Sequence, residues 1–217
     1  MTKKNWFFDL DGTLADTYAD ITACWRKTVD ELGLDTERFD RLFTVGPSID
    51  DITRKMYPER YSKELCEAVR EGFSRHYDTG GFPLTKEYPG IIDEIKRLKS
   101  LGARVFVVTN KRWKAVRLIS AHFGWDEVFD GFYASDMHKD DPIGVLKKPD
   151  LLALAMKENG CEASSCVMVG DTINDFDAAA ANAVWSIAVP WGYGAASELA
   201  RADVLYSGSG PLPTESV

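Results

Sequence analysis

The chain has 217 residues, 45% of them hydrophobic, with 34 acidic against 26 basic side chains and a net charge of -8. That supplies apolar material for one large domain or a core with an insertion and argues against a disordered chain, while the acidic balance argues against the basic footprint of a nucleic-acid binder. Small molecules are the expected partners, and an anionic one needs local positive charge from a metal ion or a few placed lysines. Cys24, Cys66, Cys161 and Cys166 have neither metal-ligand spacing nor the density of a disulfide scaffold, and read as reduced thiols. Residues 1–4 lead into Trp6-Phe7-Phe8 without an apolar signal region, and no uncharged apolar run reaches membrane-spanning length. A cytoplasmic monomer or homodimer without membrane contact is the expectation.

In chain order, the apolar run 6–10 ends in Asp11-Gly12-Thr13, which suits a buried parallel strand delivering a polar loop. From about Asp16 to Lys86 the pattern is helical, with starts near Asp16 or Thr17, near Thr36, at Ser48 and at Ser62; Ser48 with Asp51 has capping-box spacing. Gly80-Gly81-Phe82-Pro83 returns the chain to a strand-helix alternation. Ile91, Ile92, Ile95 and Leu98 predict a helix ending at Gly102, Arg104–Thr109 a strand, and Val116, Ile119 and Phe123 a helix before Gly124. Further strands are predicted at Gly131–Ala134, 165–171 and 185–189, and a loosely held tail at 207–217. The fold class is therefore α/β, a doubly wound parallel sheet with an inserted α-helical cap: residues 1–15 and 86–217 as core, 16–85 as cap.

Asp9 and Asp11 stand two residues apart at a strand end, where extended spacing sends both side chains the same way. One carboxylate can attack a phosphorus atom while the other protonates the leaving oxygen and later takes a proton from water. Gly12 allows a sharp exit from the strand, and Thr13 can bond local backbone. Gly170-Asp171-Thr172-Ile173-Asn174-Asp175 follows another apolar strand and should emerge on the same sheet edge. Carboxylates gathered there call for a hard divalent cation, best met by Mg2+, and Asp175 can instead orient a lysine or the metal's waters. Thr109 and Asn110 end a third strand with a hydroxyl and an amide suited to a phosphoryl oxygen. One lysine of Lys147-Lys148-Pro149 can stabilise the transferring group. In the cap, the loop at Gly46-Pro47 is the candidate for substrate selection.

Asp9-Leu10-Asp11-Gly12-Thr13, Thr109-Asn110-Lys111, Lys148-Pro149 and Gly170-Asp171-Thr172 with Asp175 resemble, in order and spacing, the four signature motifs of the haloacid dehalogenase superfamily, over essentially the whole chain. The resemblance implies that Asp9 is the nucleophile, Asp11 the acid/base, and that Asp9, the backbone carbonyl of Asp11 and Asp171 hold the metal. Lys148 is preferred to Lys147 because proline follows it. Tyr88-Pro89-Gly90, Thr109-Asn110-Lys111 and Trp191-Gly192-Tyr193-Gly194 with Ala202-Asp203 resemble the phosphoglycolate phosphatase branch, with a departure at Asn182-Ala183. The expected function is Mg2+-dependent hydrolysis of a small organic phosphate monoester through an aspartyl-phosphate. A phosphomutase of the β-phosphoglucomutase type and a non-catalytic phospholigand-binding protein are the alternatives.

Overall fold

Asn5-Trp6-Phe7-Phe8 forms β1 (Asn5–Phe8), buried along its whole length, as a strand covered on both faces must be. The computed structural model describes residues 3–215. β2 (Ala15–Asp16) follows, then helices α1 (Tyr18–Glu31), α2 (Thr36–Leu42), α3 (Ile49–Met56) and α4 (Lys63–Tyr77), and β3 (Lys86–Glu87), which pairs antiparallel with β2. Strands and helices then alternate: α5 (Ile91–Ser100), β4 (Arg104–Thr109), α6 (Trp113–Phe123), β5 (Gly131–Ala134), α7 (Lys148–Glu158), β6 (Cys166–Gly170), α8 (Ile173–Ala181), β7 (Trp185–Ala188), α9 (Ala196–Leu199) and β8 (Val204–Leu205).

Two compact units result, one made of the described residues up to Asp16 and from Lys86 onward, the other of Thr17–Thr85. The first holds a six-stranded sheet in the order β5-β4-β1-β6-β7-β8, with every pairing parallel. On one face Phe7, Phe106, Val108 and Met168 pack against Leu151 and Leu152 of α7 and Ala178 of α8. The Phe7 and Phe106 rings stack 5.3 Å apart, and each fully buried aromatic contributes about 1.5–3 kcal/mol. The short strands β2, β3 and β8 give too little pattern to predict. The expected loose tail is tied down instead: Leu212 is buried and its N–H donates to Glu94 Oε1 at 2.8 Å, while Lys3 N–H donates to the Thr214 carbonyl at 2.9 Å. Residues 216 and 217 of that tail lie outside the described residues.

The helical unit starts its elements at the capping residues. Asp35, Ser48 and Ser62 each accept a backbone N–H three residues on, in α2, α3 and α4, satisfying donors that a helix start leaves open. The expected capping box at Ser48 is half formed, because the Asp51 carboxylate accepts the Ser48 hydroxyl at 2.7 Å. Its core is aromatic, with Trp25 5.5 Å from Phe43 and 5.7 Å from Phe73. Buried Asp20 accepts from Leu84 N–H at 3.0 Å and from the Thr85 N–H and hydroxyl at 2.7 Å, fastening the end of the unit to its first helix. Gly46 lies exposed between α2 and α3 at φ 120°. Among the described residues no helix is long and apolar enough to cross a membrane. The four cysteines are free thiols.

Candidate active site

The chain runs from β1 out through β4 to β5 and then returns to the other side of β1 with β6. Such a reversal opens a crevice at the carboxyl ends of the strands. There, Asp9 follows β1, Thr109 ends β4 and Asp171 follows β6. Asp9 N–H donates to the Val169 carbonyl at 3.0 Å, so the sheet register holds the backbone of the first carboxylate. Its Oδ1 accepts from Leu10 N–H at 2.7 Å, and Lys148 Nζ lies 2.8 Å from its Oδ2.

Lys148 opens α7 with Pro149 in the first turn, where a missing N–H is harmless. Its side chain is 2% exposed and also reaches Asp175 Oδ1 at 2.5 Å. Lys147 is exposed, so the geometry separates the two lysines. Asp175 is fully buried, and its Oδ2 accepts from the Thr172 N–H and hydroxyl, each at 3.0 Å, capping α8 while fixing the lysine.

Asp171 is held from both sides, Oδ1 by the Thr13 hydroxyl at 3.0 Å and Oδ2 by Tyr193 N–H at 2.7 Å. Thr13 was expected to bond local backbone; it bonds instead across 158 positions, because the turn at Gly12 aims it at β6. Gly12 has φ 78°, and a Cβ there would stand 2.2 Å from Asp171 Oδ2. Gly12→Ala therefore meets both left-handed strain and a collision with a held carboxylate, for an expected loss of at least about 1 kcal/mol. Urea unfolding measures it, and wild-type stability would show that this turn yields freely.

Three carboxylate oxygens, one each from Asp9, Asp171 and Asp175, lie within 4.8 Å of one another. Burial is the main cause that pushes Asp9 up to about 6, opposed by Lys148 and reinforced by Asp175 and Asp11. Burial, then Asp175 and Asp9, push Asp171 up to about 8. For Lys148 burial acts downward, yet the Asp175 and Asp9 carboxylates outweigh it and raise its pKa. One buried ammonium thus faces three buried carboxylates. Lys148 is shared between Asp9 and Asp175, so the cluster with Asp171 is short of positive charge. A hard divalent cation with oxygen ligands, such as Mg2+, fits that donor set.

Asp11 lies beyond β1, which ends at Phe8, and its charge is among the causes that raise the Asp9 pKa, after burial and Asp175. Asp11 accepts from Lys111 Nζ, at 2.8 Å on Oδ1 and 3.1 Å on Oδ2. Sequence reasoning gave Lys111 no role of its own, since a lysine after a turn is ordinarily solvated. Thr109 is buried and its Oγ1 accepts from Lys111 N–H at 3.2 Å. Asn110 is exposed, and its carbonyl accepts from the Ser135 hydroxyl at 2.9 Å. The Gly192–Tyr193 backbone packs on Asp171: a Cβ at Gly192 would lie 2.3 Å from Asp171 Cβ.

Comparison with known proteins shows the family and the fold. The family model described as haloacid dehalogenase-like hydrolase matches residues 6–189. The tyrosine-protein kinase PtkA of Mycobacterium tuberculosis is 31% identical over 190 residues, 87% of this chain, which spans 62% of that relative's length. A phosphoglycolate phosphatase of Aquifex aeolicus is 30% identical over 190 residues, covering 86% of this chain and 84% of that protein. Among solved structures, a predicted phosphatase from Clostridium acetobutylicum superposes with a TM-score of 0.81 at 26% identity, covering 95% of each chain. The chain belongs to the haloacid dehalogenase-like hydrolase family.

Proposed function

We propose that this chain is a phosphatase that moves the phosphoryl group of a small organic phosphate monoester first to Asp9 and then to water. The observation that carries the reading is the Asp9 carboxylate at the sheet's switch point, with a buried lysine at 2.8 Å and Asp171 beside it. Its Oδ2 attacks phosphorus as the leaving oxygen departs, and Lys148 balances the charge of attacker and phosphoryl group. The Thr109 hydroxyl and the Asn110 amide bind phosphoryl oxygens. Asp11 gives a proton to the leaving oxygen and takes one from the incoming water. Asp9, Asp171 and the Asp11 backbone carbonyl would hold Mg2+, which when bound supplies positive charge for the phosphoryl oxygens. Selection among esters is assigned to the helical unit, in the loop at Gly46.

Relatives named phosphoglycolate phosphatase, 5'-nucleotidase and pyrophosphatase PpaX support small anionic phosphate compounds as the substrate class. Phosphoglycolate comes first in that class. The test is a phosphate-release screen over such compounds with magnesium, with an Asp9 variant as control. Release in proportion to substrate consumed supports hydrolysis, whereas an isomeric product without phosphate would replace it with the mutase reading. Exhaustive chelation is expected to silence the enzyme and added magnesium to restore it; a rate that survives chelation would end the metal's part in the proposal.

A further inference from the structure

We infer that Lys111 is a positioning residue for the second half-reaction, holding Asp11 so that it receives the proton of the water that hydrolyses phospho-Asp9. The inference rests on the reaction proposed above. Its basis is geometric. Asp11 lies beyond the end of β1, in a turn where the Thr13, Leu14 and Ala15 N–H groups donate to the Leu10 carbonyl and Gly12 N–H donates to the Ala15 carbonyl. Sheet register does not aim its side chain, so another group must. The Lys111 side chain is 6% exposed and its ammonium contacts both oxygens of Asp11, at 2.8 and 3.1 Å. A solvent-exposed pair of this kind would contribute little, but removal from water makes such a contact directional and costly to break. The Lys111 backbone N–H also donates to Thr109 Oγ1 at 3.2 Å, which ties the start of the lysine to the turn proposed to bind the phosphoryl group.

The two lysines divide the carboxylates between them. Lys148 contacts Asp9 and Asp175, and Lys111 contacts Asp11. With both oxygens accepting hydrogen bonds from one ammonium, the Asp11 carboxylate is held in place for the water step. In that step the water oxygen bonds to phosphorus and the bond from phosphorus to the Asp9 oxygen breaks, its electron pair returning to Asp9. The water's proton passes to Asp11, and inorganic phosphate leaves. Where the leaving group needs little acid, a lysine that holds Asp11 in place therefore serves dephosphorylation more than the preceding transfer.

Pre-steady-state kinetics with p-nitrophenyl phosphate separates the halves, because nitrophenolate departs with little help from an acid. For Lys111→Met the expected result is a nitrophenolate burst equal to the enzyme present, then a steady state slowed about 10²-fold, the scale of a misplaced catalytic group. Label from the phosphoryl group should accumulate on this variant and be absent when Asp9→Asn is added. Equal slowing of burst and steady state, or an unchanged steady state, overturns the proposal. Lys111→Gln, of similar length, gives the same readout where the methionine variant does not fold. Loss of the fold in both would make Lys111 a structural residue and overturn the proposal equally. A wild-type protein that releases no phosphate from any ester tested would instead sink the parent reading.

Discussion

Asp9→Asn is expected to lower phosphate release by about 10⁴-fold or more, the scale on which loss of a nucleophile operates, while leaving the fold at least as stable as wild type. The amide has the size of the carboxylate and keeps an oxygen for the Leu10 N–H that Asp9 Oδ1 accepts at 2.7 Å. Lys148 loses one anion but keeps Asp175 at 2.5 Å. The charge on Asp9 is one of the causes that raise Asp171 to about 8, after burial and Asp175, so its removal relieves a buried repulsion. Burial also raises Asp9 itself to about 6, a cost that a neutral amide does not carry. Loss of activity with no loss of melting temperature is the signature of a chemical role. Steady-state phosphate release and thermal unfolding on the same preparation measure both, and a wild-type rate would remove the covalent mechanism.

Elements with strong internal patterns were legible before the structure was in hand. The strand Arg104–Thr109 and the helix starts at Thr36 and after Ser48 and Ser62 rest on apolar periodicity and on capping side chains, which act locally. The parallel sheet followed because the predicted strands alternate with helices long enough to cross over. What stayed hidden was set by distant partners. The Thr13 hydroxyl meets Asp171 across 158 positions and the Lys3 ammonium meets the Ser164 carbonyl across 161. No local signal marks either. Asp175 illustrates both sides: its place three residues after Thr172 reads as a helix cap, but its bond to Lys148 exists only because α7 and α8 start near one another.

Lys148→Met should cost more stability than any other single change at the site. The thioether matches the lysine stem in bulk but removes the cation from among Asp9, Asp175 and, close by, Asp171. Breaking a buried pair from one side costs about 3–5 kcal/mol because the remaining charge stays uncompensated. For a domain of this size each kcal/mol corresponds to about 2–4 °C, so the melting temperature should fall by roughly 6–20 °C. Magnesium provides the internal control. An ion that binds the folded state stabilises it by mass action, so at saturating magnesium part of the lost melting temperature should return in this variant. Its rate should stay depressed by about 10²-fold to 10³-fold, as when a donor to developing charge is removed. Arginine is a poor substitute, since its planar guanidinium does not fit where a point charge on a thin stem is 2% exposed between two carboxylates. A melting temperature that neither falls on substitution nor responds to magnesium would mean that the three carboxylates are neutralised without Lys148, and the electrostatic account of the site would fall with it.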